Sequence, residues 1–159
     1  LIADELCWDQ EAISRLYHAA LLHDIGKIGI PDSILKKSDR LSENEYEIMK
    51  THTSIGAFIL KELNFLDRVD EGALYHHERF DGTGYPFGLS GEDIPINARI
   101  ICVADSFDAM NTNRAYREKC TDSYIIEEIR KGSGKQFDPE IVDALLRCIE
   151  KNKIQFPTI

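Results

Sequence analysis

Apolar residues recur with a helical period along nearly the whole chain, and no segment alternates apolar and polar residues over several positions. Signals for helix starts fall where the period begins. Asp9 is placed to cap a first long helix, and residues 42–45 (SENE) have the form of a capping box. Asp138 followed by Pro139 combines an N-cap with a proline at the first helical position. The chain is therefore predicted to be all-α.

The predicted helices leave one long connection. Glycines and prolines from Glu78 to Pro95 indicate a loop of unusual length for a compact domain, and such loops often carry function. Around it we predict helices over about 9–24, after 42–45, and over about 67–77, 96–110, 122–131 and 139–151, with a short helical piece after Pro31.

The size and composition of the chain limit the functions that it can have. A chain of 159 residues is the size of one domain with a core of its own. The net charge of −9 argues against binding DNA or RNA polymers, which requires many phosphates to be neutralised. No apolar run approaches the roughly 20 residues that span a bilayer, and the first six residues lack the pattern of a signal peptide. We therefore expect a cytoplasmic domain, and because residue 1 is not methionine it is interpreted as a fragment.

Two adjacent pairs of metal-type ligands fall at predicted helix ends. His23 and Asp24 close the first helix, and His76 and His77 close the helix that begins near Asp67. Neighbouring residues on a helix point about 100° apart, so a pair can serve one centre only near the end of its helix. Two single residues on inward-facing positions complete the candidate set, which is His23, Asp24, His52, His76, His77 and Asp105.

Imidazole and carboxylate ligands together suit iron, manganese or zinc, and a carboxylate can bridge two ions. Two ions roughly 3.5–4 Å apart can share a hydroxide, align it with phosphorus and neutralise phosphate charge. Lys27 lies one helical turn after His23 and Asp24, where its ammonium could hold a phosphate oxygen or protonate the leaving oxygen. These residue types indicate phosphodiester hydrolysis without a protein nucleophile.

Further residues are suited to a nucleotide. Arg114 and Arg117 can bind phosphate or the edge of guanine, and Tyr85 offers an aromatic face within a rigid turn. We interpret all three, with Lys27, as substrate contacts. The turn belongs to a motif that comprises Asp81, Gly82, Gly84, Tyr85 and Pro86.

Four strings in this order resemble the HD-GYP phosphodiesterases: HDIGKIGIPD from residue 23, KTHTSIG around His52, HHERFDGTGYP from residue 76, and IICVADSFDAMNTNRAYR from residue 100. The resemblance covers nearly the whole chain. It implies an HD-superfamily helical bundle whose long loop carries the Gly-Tyr-Pro motif. Such strings are far more specific than a short isolated motif.

The resemblance also implies a function. Family members hydrolyse cyclic di-GMP to linear pGpG and, in many cases, on to GMP, at a bi- or trinuclear centre that often holds iron, with manganese as a substitute. Carried over by position, the six candidate ligands bind metal, Asp24 bridges two ions, and Lys27 lies near the scissile phosphate. Asp24 and Lys27 are thus the expected catalytic residues.

Relatives usually carry a further histidine on a preceding helix, and trinuclear members a glutamate one turn earlier. Residues 1–6 are similar to the tail of that helix, so residues 1–159 are interpreted as a single HD-GYP domain that lacks part of its first helix. The resemblance also implies an upstream receiver or sensor domain, and partners such as diguanylate cyclase (GGDEF) domains through the Gly-Tyr-Pro loop. A homodimer is a further expectation.

Two alternatives remain open at the level of sequence. The substrate could be another cyclic dinucleotide, such as cyclic GMP-AMP, because only the contacts to one base would differ. The domain could instead be a catalytically weak module whose Gly-Tyr-Pro loop docks a partner, since the upstream ligands are absent from these residues.

Overall fold

A computed structural model describes residues 1–62, 68–112 and 120–154. These residues form helices and contain no β-strand, apart from single bridges that pair Asp81 with Ser90 and Ser133 with Phe137. The all-α prediction is therefore confirmed. The helices, in chain order, are Ile2–Glu5 (α1), Gln10–Leu22 (α2), Asp32–Leu35 (α3), Glu43–Lys50 (α4), His52–Lys61 (α5), Val69–Tyr75 (α6), Ile96–Asn111 (α7), Asp122–Gly132 (α8) and Pro139–Glu150 (α9), with 3₁₀ turns at Ile25–Gly29 and Gly91–Asp93.

The predicted caps form as the sequence indicated. The Asp9 carboxylate accepts a hydrogen bond from the Ala12 amide, and the Ser42 side chain and backbone complete the capping box with Glu45. The helix that follows residues 42–45 is divided at Thr51 into α4 and α5, which the apolar period did not predict. This division places His52 at the start of a new helix.

The short helix α6 lies at the centre of the bundle and packs against α2, α5 and α7. Close packing is possible because α6 presents small residues. A Cβ atom added to Gly72 would lie 2.9 Å from the Ile101 side chain and 3.0 Å from that of Ala19. Ala73 is fully buried on the same helix. The position of α6 matters for the site because His76 and His77 follow it directly.

A buried ion pair joins the second half of the bundle to the loop. The Arg99 guanidinium lies 2.6 Å from the Asp138 carboxylate and also donates to the Ile94 carbonyl. Asp138 meanwhile caps α9 through the Glu140 amide, as predicted, with Pro139 at the first helical position. One carboxylate thus stabilises a helix start and holds it against α7.

The 3₁₀ turn after α2 approaches the backbone of α5 very closely. A Cβ atom added to Gly26 would lie 1.9 Å from the His52 carbonyl oxygen and 2.4 Å from the Gly56 nitrogen. Only glycine fits at such a distance from backbone atoms, which cannot move aside as a side chain can. This contact fixes Asp24, two residues earlier, beside His52.

Across the described ranges, no helix has both the length and the apolar composition that crossing a membrane requires.

The variant Gly26→Ala should lose about 2 kcal/mol or more of folding stability, because its Cβ would overlap backbone atoms of α5. Gly29→Ala, in the same turn, is the matched control, since its Cβ would meet only the flexible side chain of Ile55 at 3.0 Å. Chemical denaturation would measure both. Equal losses in the two variants would contradict the proposed backbone clash.

Candidate metal centre

The ends of three helices converge at one point. His23 directly follows α2, His52 follows the end of α4 and opens α5, and His76 directly follows α6. Ligand atoms form two groups, in each of which all atoms lie within 4.8 Å of one another. One group contains His52, His76 and His77, and the other contains His23, Asp24 and His76. His76 belongs to both, so the structure brings five of the six predicted ligands together.

Three of these histidines are held in one tautomer by the backbone. The Nδ1 atoms of His23 and His52 each lie 2.7 Å from a carbonyl oxygen three residues earlier. For His76 the equivalent distance, to the Ala73 carbonyl, is 2.9 Å. A carbonyl oxygen only accepts hydrogen bonds, so Nδ1 must carry the proton in each ring. The Nε2 atoms of His52 and His76, whose charged forms burial disfavours, are therefore left with free lone pairs, which is the form that binds a metal. The Nε2 atom of His23 lies 3.4 Å from the Asp24 carboxylate.

These Nε2 atoms face one another and the Asp24 carboxylate. The Nε2 atoms of His52 and His76 are 3.4 Å apart, and they lie 3.5 and 3.9 Å from Asp24 Oδ1. That oxygen is buried, and no hydrogen-bond donor reaches it from the described residues. Lone pairs that face a carboxylate at such distances repel one another unless a cation lies among them. The residues present therefore fit a metal site.

Burial determines the charge of the rings. It lowers the pKa of His76 to about 3 and that of His77 to about 4, because desolvation penalises the charged imidazolium. Burial opposes the charging of His23 too, but the hydrogen bonds with Asp24 and with the Ala20 carbonyl outweigh it, and the pKa of His23 is raised.

The pKa of Asp24 is lowered, whereas that of His23 is raised. Burial alone would raise its pKa, yet the bonds from His23 and Lys27 outweigh burial and hold the pKa well below its usual range. The Lys27 ammonium lies 2.5 Å from Asp24 Oδ2. Asp24 is thus an ionised carboxylate with one oxygen paired to Lys27 and the other directed towards the imidazoles.

Asp105 lies on α7, outside both groups of close ligand atoms, and is half-buried. It lines a cavity of about 420 Å³ together with His76, His77 and Tyr85. Its charge also contributes to the raised pKa of His23. Asp105 therefore borders the centre without joining the close contacts. Arg114 and Arg117, the other predicted contacts, lie outside the described residues.

The Gly-Tyr-Pro loop covers one side of this cavity. The Tyr85 ring stacks on His77 with a centroid distance of 4.8 Å, and the Tyr85 amide donates to the His77 carbonyl. A Cβ atom on Gly84 would lie 2.3 Å from the Arg79 amide nitrogen, so glycine is required for this approach. The bond between Tyr85 and Pro86 is cis.

The start of the loop is a compact polar turn. The Asp81 carboxylate accepts from the Thr83 amide and hydroxyl and pairs with Arg79, and Gly82 adopts a φ of +78°, which favours glycine. Asp81 and Gly82 of the motif therefore have a structural role, which is to shape this turn.

Sequence reasoning missed Glu78. Its side chain is only 2% exposed and accepts hydrogen bonds from the Phe87 amide at 2.7 Å and the Leu89 amide at 3.0 Å. Because Glu78 directly follows His77, these two bonds hold the far end of the Gly-Tyr-Pro loop close to the ligand pair. A carboxylate placed directly after a ligand pair and before a loop rich in glycine was the available signal.

The helical bundle of the described residues, with imidazoles clustered beside a cavity that a loop covers, agrees with one family of proteins. The family described as the HD domain matches residues 1–141. The chain therefore belongs to the HD-domain family, as its sequence motifs predicted.

Several curated relatives are similar over most of the chain. A cyclic di-GMP phosphodiesterase of Thermotoga maritima is 48% identical over 92% of this chain and 40% of its own length. The cyclic di-GMP phosphodiesterase response regulator RpfG of Xanthomonas campestris is 46% identical over 92% of this chain and 39% of its own. A 3′3′-cGAMP-specific phosphodiesterase 2 of Vibrio cholerae is 44% identical over 81% of this chain and 25% of its own. The chain thus spans well under half the length of these relatives.

A solved structure supports the fold. The crystal structure of a cyclic GMP-AMP specific phosphodiesterase of V. cholerae superposes with a TM-score of 0.73 at 24% identity, over 96% of this chain and 42% of that one. At this identity the likeness concerns the fold, and it agrees with the predicted HD-superfamily bundle.

The variant Glu78→Ala should lose about 1–3 kcal/mol of stability, because two loop amides lose their buried acceptor. Hydrogen exchange at the Phe87 and Leu89 amides should accelerate, and chemical denaturation would give the loss. Glu92→Ala, which removes an exposed carboxylate from the same loop, is the control. Unchanged exchange at both amides would contradict the role given to Glu78.

Proposed function

We propose that this domain hydrolyses the second messenger cyclic di-GMP to linear pGpG, and pGpG onward to GMP, in a metal-dependent reaction. The observation that carries the proposal is the set of Nε2 lone pairs directed at the buried Asp24 oxygen, since this arrangement is favourable only around cations. Relatives named as cyclic di-GMP phosphodiesterases, at 48% and 46% identity, support the substrate.

A binuclear centre is the arrangement that the ligands support best. His23 and Asp24 would hold one ion and His52 and His77 the other, and His76, which has a single free lone pair, lies between the two positions. Asp105 at the edge of the cavity is a further ligand of this proposal. Nitrogen and oxygen donors of this kind suit iron, with manganese as a substitute. When bound, such ions supply the Lewis acidity that activates water and offsets charge on the phosphate.

The remaining roles fall to side chains around the cavity. Asp24 would be the ligand shared by the ions, and the Lys27 ammonium, held beside it, would bind a phosphate oxygen or protonate the oxygen that leaves phosphorus. Tyr85 would contact the substrate on the loop side, where the stacking with His77 fixes its ring. Arg114 and Arg117 remain proposed contacts.

Cyclic GMP-AMP is a second candidate substrate. Relatives named 3′3′-cGAMP-specific phosphodiesterases match this chain at 44% and 36% identity. The two dinucleotides have the same two phosphodiester bonds and differ in one base. The metal centre would therefore act on the phosphates of both in the same way. Selection would depend on contacts to the base edge.

The setting of the domain is proposed by analogy with the family. We place it in the cytoplasm, downstream of a receiver or sensor domain in the full-length protein, with a homodimer and GGDEF-domain partners as further proposals. The catalytically weak docking module remains the alternative to an enzyme. The convergence of five ligands favours the enzyme, because a docking loop alone does not require them.

Metal analysis of the purified protein should find at least two iron or manganese ions per chain. Asp24→Asn should lower this content, because it removes a charged bridging ligand, and His18→Ala should not, because His18 bonds the Ser14 carbonyl on the outer face of α2. Elemental analysis after dialysis would count the ions. One ion per chain or fewer in the parent protein would contradict the binuclear centre.

Metal-loaded protein should convert cyclic di-GMP to pGpG, as followed by chromatography. Lys27→Met should lower turnover by roughly a hundredfold or more, because it removes a proton donor and a phosphate contact. Lys36→Met is the control, since Lys36 pairs with Asp32 on the exposed surface.

Competition between cyclic di-GMP and cyclic GMP-AMP would decide the substrate. A preference for the mixed dinucleotide would replace the first candidate with the second. Full metal content with no cleavage of either would overturn the enzyme in favour of the docking module.

A further inference from the structure

Two residues of α4 lie beside the cavity, next to the loop. Tyr46 lines the cavity with His77 and Tyr85, and its side chain is about half exposed. Lys50 lies four residues later on the same face of the helix, where side chains four apart are neighbours. Neither residue belongs to the ligand pairs or to the Gly-Tyr-Pro loop.

These two side chains form a cluster with Tyr85. The Lys50 ammonium lies 5.5 Å from the centre of the Tyr46 ring and 5.6 Å from that of Tyr85. The two tyrosines meet edge to face with centroids 6.4 Å apart. Tyr85 also stacks on His77. A continuous series of contacts therefore connects the ligand His77, through Tyr85, to Tyr46 and Lys50 on α4.

The chemistry of this cluster fits a nucleotide. One face of Tyr85 is occupied by His77, whereas Tyr46 retains exposed ring surface on which a base can stack. The Lys50 ammonium has an ion pair with Glu47 at 2.7 Å, but the Glu47 side chain is 66% exposed. Such surface pairs are weak, so Lys50 can exchange this partner for a phosphate.

The substrate carries a phosphate that needs such a partner. A cyclic dinucleotide has two phosphodiesters, and only the one that is cleaved can occupy the metal centre beside Lys27. The other phosphate belongs to the same small ring and must lie near the cavity. In a chain with a net charge of −9, it requires a local cation.

We propose that Tyr46 and Lys50 form a second nucleotide-binding element, in which Tyr46 stacks on one base and Lys50 neutralises the phosphate that is not cleaved. This inference rests on the proposed function, because it presumes a substrate with two phosphates. It assigns to α4 a role in affinity for the cyclic substrate, separate from the chemistry at the metal ligands.

Calorimetry on metal-loaded protein would test this element, with a phosphorothioate analogue of cyclic di-GMP as the slowly cleaved ligand. The variant Lys50→Met should raise the Kd roughly ten- to hundredfold, and Tyr46→Leu roughly tenfold. Tyr46→Phe keeps the ring and should stay within about twofold of the parent. Inorganic phosphate, which has one phosphorus atom, should bind the variants as it binds the parent.

Matched controls exist elsewhere on the surface. Tyr124→Leu removes a tyrosine that is 46% exposed on α8, compared with 48% for Tyr46. Lys36→Met removes a lysine that, like Lys50, pairs with a carboxylate on its own helical segment. Circular dichroism and metal content would verify that each variant is folded and loaded.

The outcomes separate the two proposals. If the parent protein neither binds nor cleaves a cyclic dinucleotide, the proposed function fails. If the parent does both, and Lys50→Met and Tyr46→Leu bind the analogue as the parent does, the function stands and the second element is overturned. A parallel loss of phosphate binding would also overturn it, because α4 would then act through the metal centre.

Discussion

The free carbonyl groups at helix C-termini are the constraint on which the metal centre depends. The last four carbonyls of a helix have no partner within it. His23, His52 and His76 each donate their Nδ1–H to such a carbonyl three residues earlier, at the ends of α2, α4 and α6. One contact therefore satisfies the helix end, fixes the tautomer and aims Nε2 at the centre. The negative end of each helix dipole also favours the cation that these lone pairs require.

Helix ends that are distant in the sequence meet because small residues let the segments approach. Gly26 sets the turn after α2 against the backbone of α5, and Gly72 sets α6 against α2 and α7. The first contact holds Asp24 near His52, and the second holds α6, which His76 follows directly, against its neighbours. The ligand geometry therefore depends on the core packing. The glycines that allow this packing are as important to the site as the ligands themselves.

Sequence pattern predicted the helices and the pairing of ligands at their ends, because capping residues and apolar periodicity act locally. It also required that His23 and Asp24 lie at a helix terminus, and they do. The division at Thr51, the shared position of His76 and the loop bonds of Glu78 were not predicted. Each of these depends on contacts between distant segments. The placement of Arg114 and Arg117 remains a prediction from the motif alone.

The composition of the ligand set would let an acidic chain attract the anionic substrate that we propose. In the proposed binuclear centre, two divalent ions held by neutral imidazoles would keep most of their charge, and the carboxylates of Asp24 and Asp105 would offset only about half of it. The surface acids that give the net charge of −9 are screened over a Debye length of about 10 Å, whereas charges at the buried centre are screened much less. Lys27, paired with Asp24, and Lys50, beside the Tyr85 ring, add positive charge near the ligands. A set richer in carboxylates would bind the ions more tightly but leave less charge for the phosphate, so histidine-rich ligation would suit a centre that binds the proposed substrate, which is a dianion.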